Sequence, residues 1–204
     1  HGAKIIVVAC NTASAAALRY LRKTFPNIPF VGMEPAVKPA AEQTNSGVVG
    51  VLATPATFQG RLYASVVERF ASDVTVLQNT CVGLVEEIER GALKGEKTHR
   101  ILDNALQDML AHGLDTIVLG CTHYPFVIPL IAKIAGGNIR IIDPAPAVAR
   151  QVEHRLETIN TRSTRQAEGQ IQLYTSGDVE ELASILPKLG FENFPVTGVP
   201  PSSH

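Results

Sequence analysis

Short β-prone apolar runs alternate with helical patterns along nearly the whole chain, and this alternation restricts the fold more than any other feature. Strands joined through helices lie parallel, and a parallel sheet must be covered on both faces. Lys4–Cys10 reads as a doubly buried strand, followed by a helix with Ala17, Leu18, Tyr20 and Leu21 inward. Pro29–Met33 is a second strand, Glu34 opens a modest helix ending near Gln43, and Asn45-Ser46-Gly47 is a turn. Val48–Ala53 is the next strand, and a helix then runs from Thr54 as N-cap, with Pro55 in its first position, to Phe70. Val74–Asn79 is a strand, Val82–Arg90 a helix closed by Gly91, and Glu96–His112 the clearest amphipathic helix. Thr116–Cys121 and Ile139–Asp143 are strands separated by a helix whose regular turns begin around Val127. Pro146 opens another helix, Asn160 to Gln170 reads as a mobile polar loop, and Ile171–Thr175 is a strand. Asp178 caps a final helix with Glu181 in a capping-box arrangement, Gly190 stops it, and Pro195–His204 is expected to be a loosely held tail.

Within this alternation one short text occurs twice. Val7-Val8-Ala9-Cys10-Asn11-Thr12 and Val118-Leu119-Gly120-Cys121-Thr122-His123 each end an apolar strand in a small residue, a cysteine and a polar pair. Open α/β sheets bind ligands at the carboxyl ends of their strands. The N–H groups and positive dipole end of a following helix favour anions there and make a thiol easier to ionise. Two thiols so placed suggest a paired acid and base, in two pseudo-symmetric halves with a cleft between them.

Composition narrows the alternatives. The chain has 204 residues, 45% hydrophobic and 18% charged, so it can bury a sizeable core. Net charge is −1 and no Lys/Arg run exceeds two residues, which argues against nucleic acid or an anionic membrane as partner. No apolar run approaches the ~18 residues needed to span a bilayer. Three widely separated cysteines suit a reducing compartment, the cytoplasm, better than a disulfide framework.

Each candidate has a plainer reading. A free cysteine is most often a small buried hydrophobe, which is how Cys81 reads. Zinc would need close ligand pairs that the chain lacks, and a redox disulfide between Cys10 and Cys121 has no supporting pattern. Asn11, Thr12, Thr54, Thr57 and Thr122 could each be helix caps or hydroxyl and amide donors facing a cleft. His123 lies two residues after Cys121 and can tune that thiol. Glu86, Glu87 and Glu89 share one helix, with a solvated face as the default for all three.

The text Ala9-Cys10-Asn11-Thr12-Ala13-Ser14 with Gly120-Cys121-Thr122-His123-Tyr124-Pro125 resembles the cofactor-independent glutamate racemases of bacterial wall synthesis. Supporting matches are Gly32–Pro35, Thr54 with Thr57, Glu89-Arg90-Gly91 and Thr175-Ser176-Gly177-Asp178, so the likeness covers essentially the whole chain. The resemblance implies an α/β fold of two pseudo-symmetric domains with mainly parallel sheets, residues 1–37 with 147–204 forming the first and 38–146 the second. It implies that Cys10 and Cys121 flank the α-carbon of glutamate and exchange its proton without pyridoxal phosphate or any other cofactor. Asn11, Thr12, Thr54, Thr57 and Thr122 would hold the substrate's carboxylate and ammonium groups, while His123 and Glu89 assist Cys121. A homodimer is a permitted assembly.

The family also carries an Asp-Ser-Gly strand end and a Pro-Tyr-Gly loop that do not occur here. The expectation is therefore an incomplete first domain and a polypeptide whose activity belongs to a longer protein. The rivals are an aspartate or hydantoin racemase with the same two-thiol plan, and a non-catalytic protein that binds an acidic ligand or a partner.

Overall fold

The computed structural model describes residues 2–165 and 169–200. The chain opens with strand β1 (Ile6–Val7), helix α1 (Asn11–Thr24), β2 (Phe30–Val31) and α2 (Val37–Gln43). It continues through β3 (Val48–Leu52), α3 (Pro55–Phe58), α4 (Arg61–Phe70), β4 (Thr75–Asn79), α5 (Leu84–Glu89) and α6 (Glu96–Ala111). Next come β5 (Thr116–Leu119), a 3₁₀ turn at Tyr124–Val127, α7 (Ile128–Ala135), β6 (Arg140–Ile142) and α8 (Ala145–Thr158). Strand β7 (Leu173–Thr175), α9 (Val179–Ile185), a second 3₁₀ turn at Leu186–Leu189 and β8 (Val196–Gly198) complete the described elements. Every ladder among them is parallel: β1 with β2, β7 with β8, and a four-stranded sheet in the order β4-β3-β5-β6.

The alternation of apolar side chains along β3 and β5 builds the core. Val49 and Val51 with Val118 face α2 and α4, joining Val37, Tyr63 and Val66. Leu52 with Ile117 and Leu119 face the other way, against Leu84, Leu102, Leu106 and Ile131 of α5, α6 and α7. Successive side chains of a strand point to opposite faces, so one apolar run serves both layers. Each fully buried Leu, Ile or Val contributes roughly 1.5–3 kcal/mol. The chain leaves β3 for β4 on one side and returns to β5 on the other, making the β3/β5 junction the point where connections diverge. Ligands in open α/β sheets sit at that junction, beyond the carboxyl ends of the strands.

Several sequence expectations need correction. The first strand is not doubly buried: it spans only Ile6–Val7, which are 36% and 38% exposed. Its ladder partner among the described residues is β2 alone, and an apolar run is buried only where layers cover both faces. Tyr20 does not pack inward and is 66% exposed. Ser14 sets the rotation of α1 by donating from Oγ to Val8 O (2.9 Å) and accepting from Met33 N (2.9 Å). That rotation turns Asn11, Ser14, Leu18 and Leu21 inward, leaving Tyr20 on the opposite side. The helix expected from Thr54 to Phe70 breaks at Gly60, whose ψ of 133° is extended, yielding α3 and α4. Within the expected tail, Val196–Gly198 is a strand paired with β7, and residues 201–204 lie outside the described residues. Of the expected loop, residues 161–165 and 169–170 are neither helix nor strand, and 166–168 lie outside the described residues. Among the described residues, no helix is long and apolar enough to cross a membrane.

The start of β5 is tied to the loop before β3 by Asp115. Its carboxylate accepts from Thr44 Oγ1 (2.6 Å), Asn45 N (2.6 Å), Ser46 N (2.9 Å) and Thr116 Oγ1 (2.9 Å). Desolvation works to raise this carboxyl, but the four donors outweigh it and hold it well below the ordinary carboxylate range. A depressed carboxyl contributes stability above its unfolded value of ~3.9 and loses it as pH falls below that. Asp115→Asn is expected to cost about 1–3 kcal/mol at pH 7 in urea unfolding. The deficit relative to the parent chain should shrink progressively below pH ~4, and a deficit independent of pH would contradict this account.

Candidate active site

The site forms where three chain segments meet at the β3/β5 junction. Gly120 extends β5 by one bond, its N–H donating to Leu52 O at 2.7 Å. A Cβ at Gly120 would lie 2.7 Å from Ala53 Cβ and 3.1 Å from Leu52 O, so only glycine lets the strand ends close this tightly. From the other side Asn11, 3% exposed, donates Nδ2 to Gly120 O at 2.8 Å. This bond pins the first turn of α1 to the end of β5. Cys10 occupies the N-cap of α1 with extended backbone (φ −152°, ψ 129°), and Cys121 follows Gly120. The two halves of the repeated text are thereby joined through one side-chain amide.

A cavity of about 140 Å³ lies between them, lined by both thiols, by Asn11, Thr12, Thr54 and Thr57, and by Thr122 and His123. Drug-sized ligands occupy roughly 300–1,000 Å³, so this space suits a much smaller molecule. Thr12 Oγ1 lies 3.1 Å from Thr57 Oγ1 and 3.4 Å from Thr54 Oγ1, and the latter two are 3.2 Å apart. Thr54 stands at the N-cap of α3 as expected, but its side chain makes no capping bond and joins this hydroxyl cluster instead. Asn11 Oδ1 is buried without a hydrogen-bond partner among the described residues. A buried acceptor left unpaired costs about 1–3 kcal/mol, which a donor on a bound molecule would recover.

Behind Cys121 stands a relay. His123 Nδ1 lies 3.7 Å from Cys121 Sγ, and His123 Nε2 lies 3.0 Å from Glu89 Oε1. A carboxylate accepting from Nε2–H leaves Nδ1 to face the sulfur. Glu89 is therefore not in the thiol cavity: it sits at the end of α5, behind the imidazole. Glu87, expected to be solvated with its neighbours, is 7% exposed and accepts from Lys97 Nζ and Arg90 Nη1, both at 2.8 Å. The Lys97 bond leads in holding this carboxyl below its ordinary value, and Glu87 ties α5 to α6. Val85 and Gly120 also line the cavity without having been singled out as site residues. A strand-end glycine before the cysteine was the available signal for Gly120. Val85 carried none, because its place depends on how α5 docks.

Cys121 does not match the simple expectation that a helix start eases ionisation. Burial pushes Cys121 up, the N–H groups of His123 and Tyr124 pull it down, and charge on Cys10 pushes it up again. Regular helix begins only at Ile128, a 3₁₀ turn beyond the sulfur, so the dipole end is displaced from it. Both thiols line one cavity, where one negative charge disfavours a second. Cys81 is 3% exposed in the core, and burial raises its thiol to about 12. A raised thiol favours the folded state until pH passes its unfolded value, so stability falls between pH ~8.5 and about 12. Cys81→Ala should flatten that alkaline fall by up to ~1.4 kcal/mol per pH unit, as measured by denaturant midpoints.

The Asp/Glu/hydantoin racemase family matches residues 1–152, a span holding both cysteine turns. The chain belongs to this family. A glutamate racemase of Roseiflexus sp. (strain RS-1) is 51% identical over 190 residues, which cover 93% of this chain and 70% of that protein. Among solved structures, Escherichia coli glutamate racemase in complex with L-glutamate and the activator UDP-MurNAc-ala superposes with a TM-score of 0.82. It is 29% identical, covering 98% of this chain and 75% of that one. Francisella tularensis glutamate racemase in complex with D-glutamate gives a TM-score of 0.80 at 26% identity, covering 96% and 73%. The parallel α/β architecture flanked by helices is the racemase fold, and the chain covers most of it.

Closure of the β3/β5 ends is testable in this racemase-family chain. Gly120→Ala should destabilise by about 1–3 kcal/mol through overpacking, read from thermal or urea unfolding. It should also slow alkylation of Cys121, whose turn must shift to admit the methyl, while leaving Cys81 unreactive in the folded state.

Proposed function

We propose that this chain is a glutamate racemase that interconverts L- and D-glutamate by two-thiol proton transfer at the α-carbon. The observation that carries the reading is that Cys10 and Cys121, from different strand ends, line one small cavity. Inversion requires a base on one face of the α-carbon and an acid on the other. A single ionised sulfur opposite a protonated one supplies both, and the mutual repulsion of two thiolates favours that state. Relatives of this fold hold L-glutamate in one case and D-glutamate in another, which supports glutamate as the substrate.

In the proposed reaction one thiolate removes the α-proton, forming S–H while the C–H electron pair delocalises into the substrate carboxylate. The opposite thiol then releases its proton to the other face of the α-carbon, and the charge has moved from one sulfur to the other. No oxidant or reductant enters the balance. The Thr12, Thr54 and Thr57 hydroxyls and Thr122 would bind the carboxylates, where fixed donors stabilise developing charge. Asn11 Oδ1 is an acceptor for the ammonium group. His123, held through Nε2 by Glu89, shuttles the proton of Cys121. In this reading residues 38–146 form one half of the cleft and 1–37 with 147–204 the other. A reducing cytoplasm would keep both thiols free.

Incubating L-glutamate with the chain in deuterated water tests the reading through optical rotation and α-deuterium content together. Racemisation with deuterium in the product is expected, falling ~10²–10⁴-fold in Cys10→Ser and in Cys121→Ser. Because Cys121 is held up, turnover of the enantiomer it deprotonates should keep rising past pH ~8.5. Saturable glutamate binding without any exchange would replace the enzyme by a binding protein.

A further inference from the structure

The wall behind the Glu89–His123 pair is supplied by the last part of the chain. A second cavity, of about 460 Å³, has Glu89, Thr122, His123 and Phe126 on one side, and Asp178 and Leu189 among the residues opposite. Two contacts hold that far wall in place. The stem of Lys188 lies directly on Gly91, at φ +73° just beyond α5, where a Cβ would collide with Lys188 Cδ. Gly190, at φ +85°, then reverses the chain: Gly190 N donates to Pro187 O at 3.1 Å and Phe191 N to Leu186 O at 2.9 Å. This turn swings Phe191 onto Phe126, with ring centroids 6.2 Å apart and an interplanar angle of 77°. Phe194 packs edge-on behind it at 6.1 Å.

Phe126 is not an isolated ring. It belongs to the 3₁₀ turn that begins just after His123, and two backbone bonds stiffen the stretch from the thiol onward. Tyr124 N donates to Cys121 O at 3.2 Å, and Phe126 N donates to His123 O at 3.2 Å. A push on the Phe126 ring is thus transmitted to the residues carrying the sulfur and the imidazole. Edge-to-face aromatic pairs favour one relative orientation of the two rings beyond what burial alone would, which biases the orientation of the short turn.

We propose that Phe191 is a positioning residue for Cys121, acting through Phe126 to keep His123 between the thiol and Glu89. The proposal concerns the reactivity of one sulfur and builds on the site assigned above, yet its readout does not require that glutamate be the substrate. Cys10, at the start of α1, shares none of these contacts and serves as the internal reference.

The test is the rate of iodoacetamide alkylation at Cys10 and Cys121, followed residue by residue by peptide mass spectrometry on the folded chain. Phe191→Ala should slow Cys121 ~fivefold or more while Cys10 stays within ~twofold, since thiolate reactivity follows local proton acceptors. Phe191→Tyr, which keeps the ring, should behave as the parent. In a His123→Asn background the effect of Phe191→Ala should disappear, because residues acting through one another are not additive. Equal changes at both cysteines, an undiminished effect without His123, or failure of Phe191→Tyr to preserve the rate would each overturn the proposal. If alkylation behaves as described but no racemisation is detected, the positioning role stands and the substrate assignment falls.

Discussion

The closure of β3 onto β5 at Gly120 governs the rest of the molecule. One short backbone bond from Gly120 N to Leu52 O brings the strand ends together, and the absent side chain makes the approach possible. Everything chemically interesting is then a consequence of what each strand does next. From β3 the chain delivers Thr54 and Thr57, from β5 it delivers Cys121 and His123, and Asn11 docks α1 onto the buried Gly120 carbonyl. Parallel sheets concentrate such residues at one edge because every strand points the same way.

The electrostatics of the cleft follow from partial burial. A wholly buried thiol such as Cys81 is driven to about 12 and becomes inert. A fully solvated one would titrate as a free thiol and could not be held opposite a substrate. Cys121 lies between these limits, raised by burial but met by the N–H groups of His123 and Tyr124. Its imidazole neighbour is oriented by a carboxylate on α5, so the last turn of one helix sets the chemistry at the end of a strand.

The terminal elements contribute to this arrangement without lining the thiol cavity. The stretch from Leu186 to Phe194 rests on Gly91, two residues after Glu89, and on Phe126, three residues after His123. Its order comes from side-chain packing and a left-handed glycine at position 190, with the short β7–β8 ladder as sheet support among the described residues. Packing of this kind resists displacement in proportion to the contacts made, which is how a residue outside a site can hold a group within it.

The order of strands and helices, the Glu96–Ala111 amphipathic stripe and the Asp178 cap were legible because period-2 and period-3.6 patterns and capping chemistry are local properties. So was the placement of Cys10 and Cys121 at strand ends, and the repeated text identified the family. Burial was less legible: apolarity marked the first strand for the core, but β1 has a single described neighbour and its side chains remain exposed. Tyr20 and Glu87 failed for a related reason, since the rotation of α1 about Ser14 and the docking of α6 beside α5 are set by contacts with neighbouring elements and not by either helix's own pattern. Sequence alone determined which residues carry chemistry and which local conformations hold them. Only the tertiary structure decided that Cys10 and Cys121 share one cavity, that Glu89 stands behind His123, and that Phe191 reaches Phe126. Distances between remote segments are set by packing across the sheet, and no window of neighbouring residues encodes them.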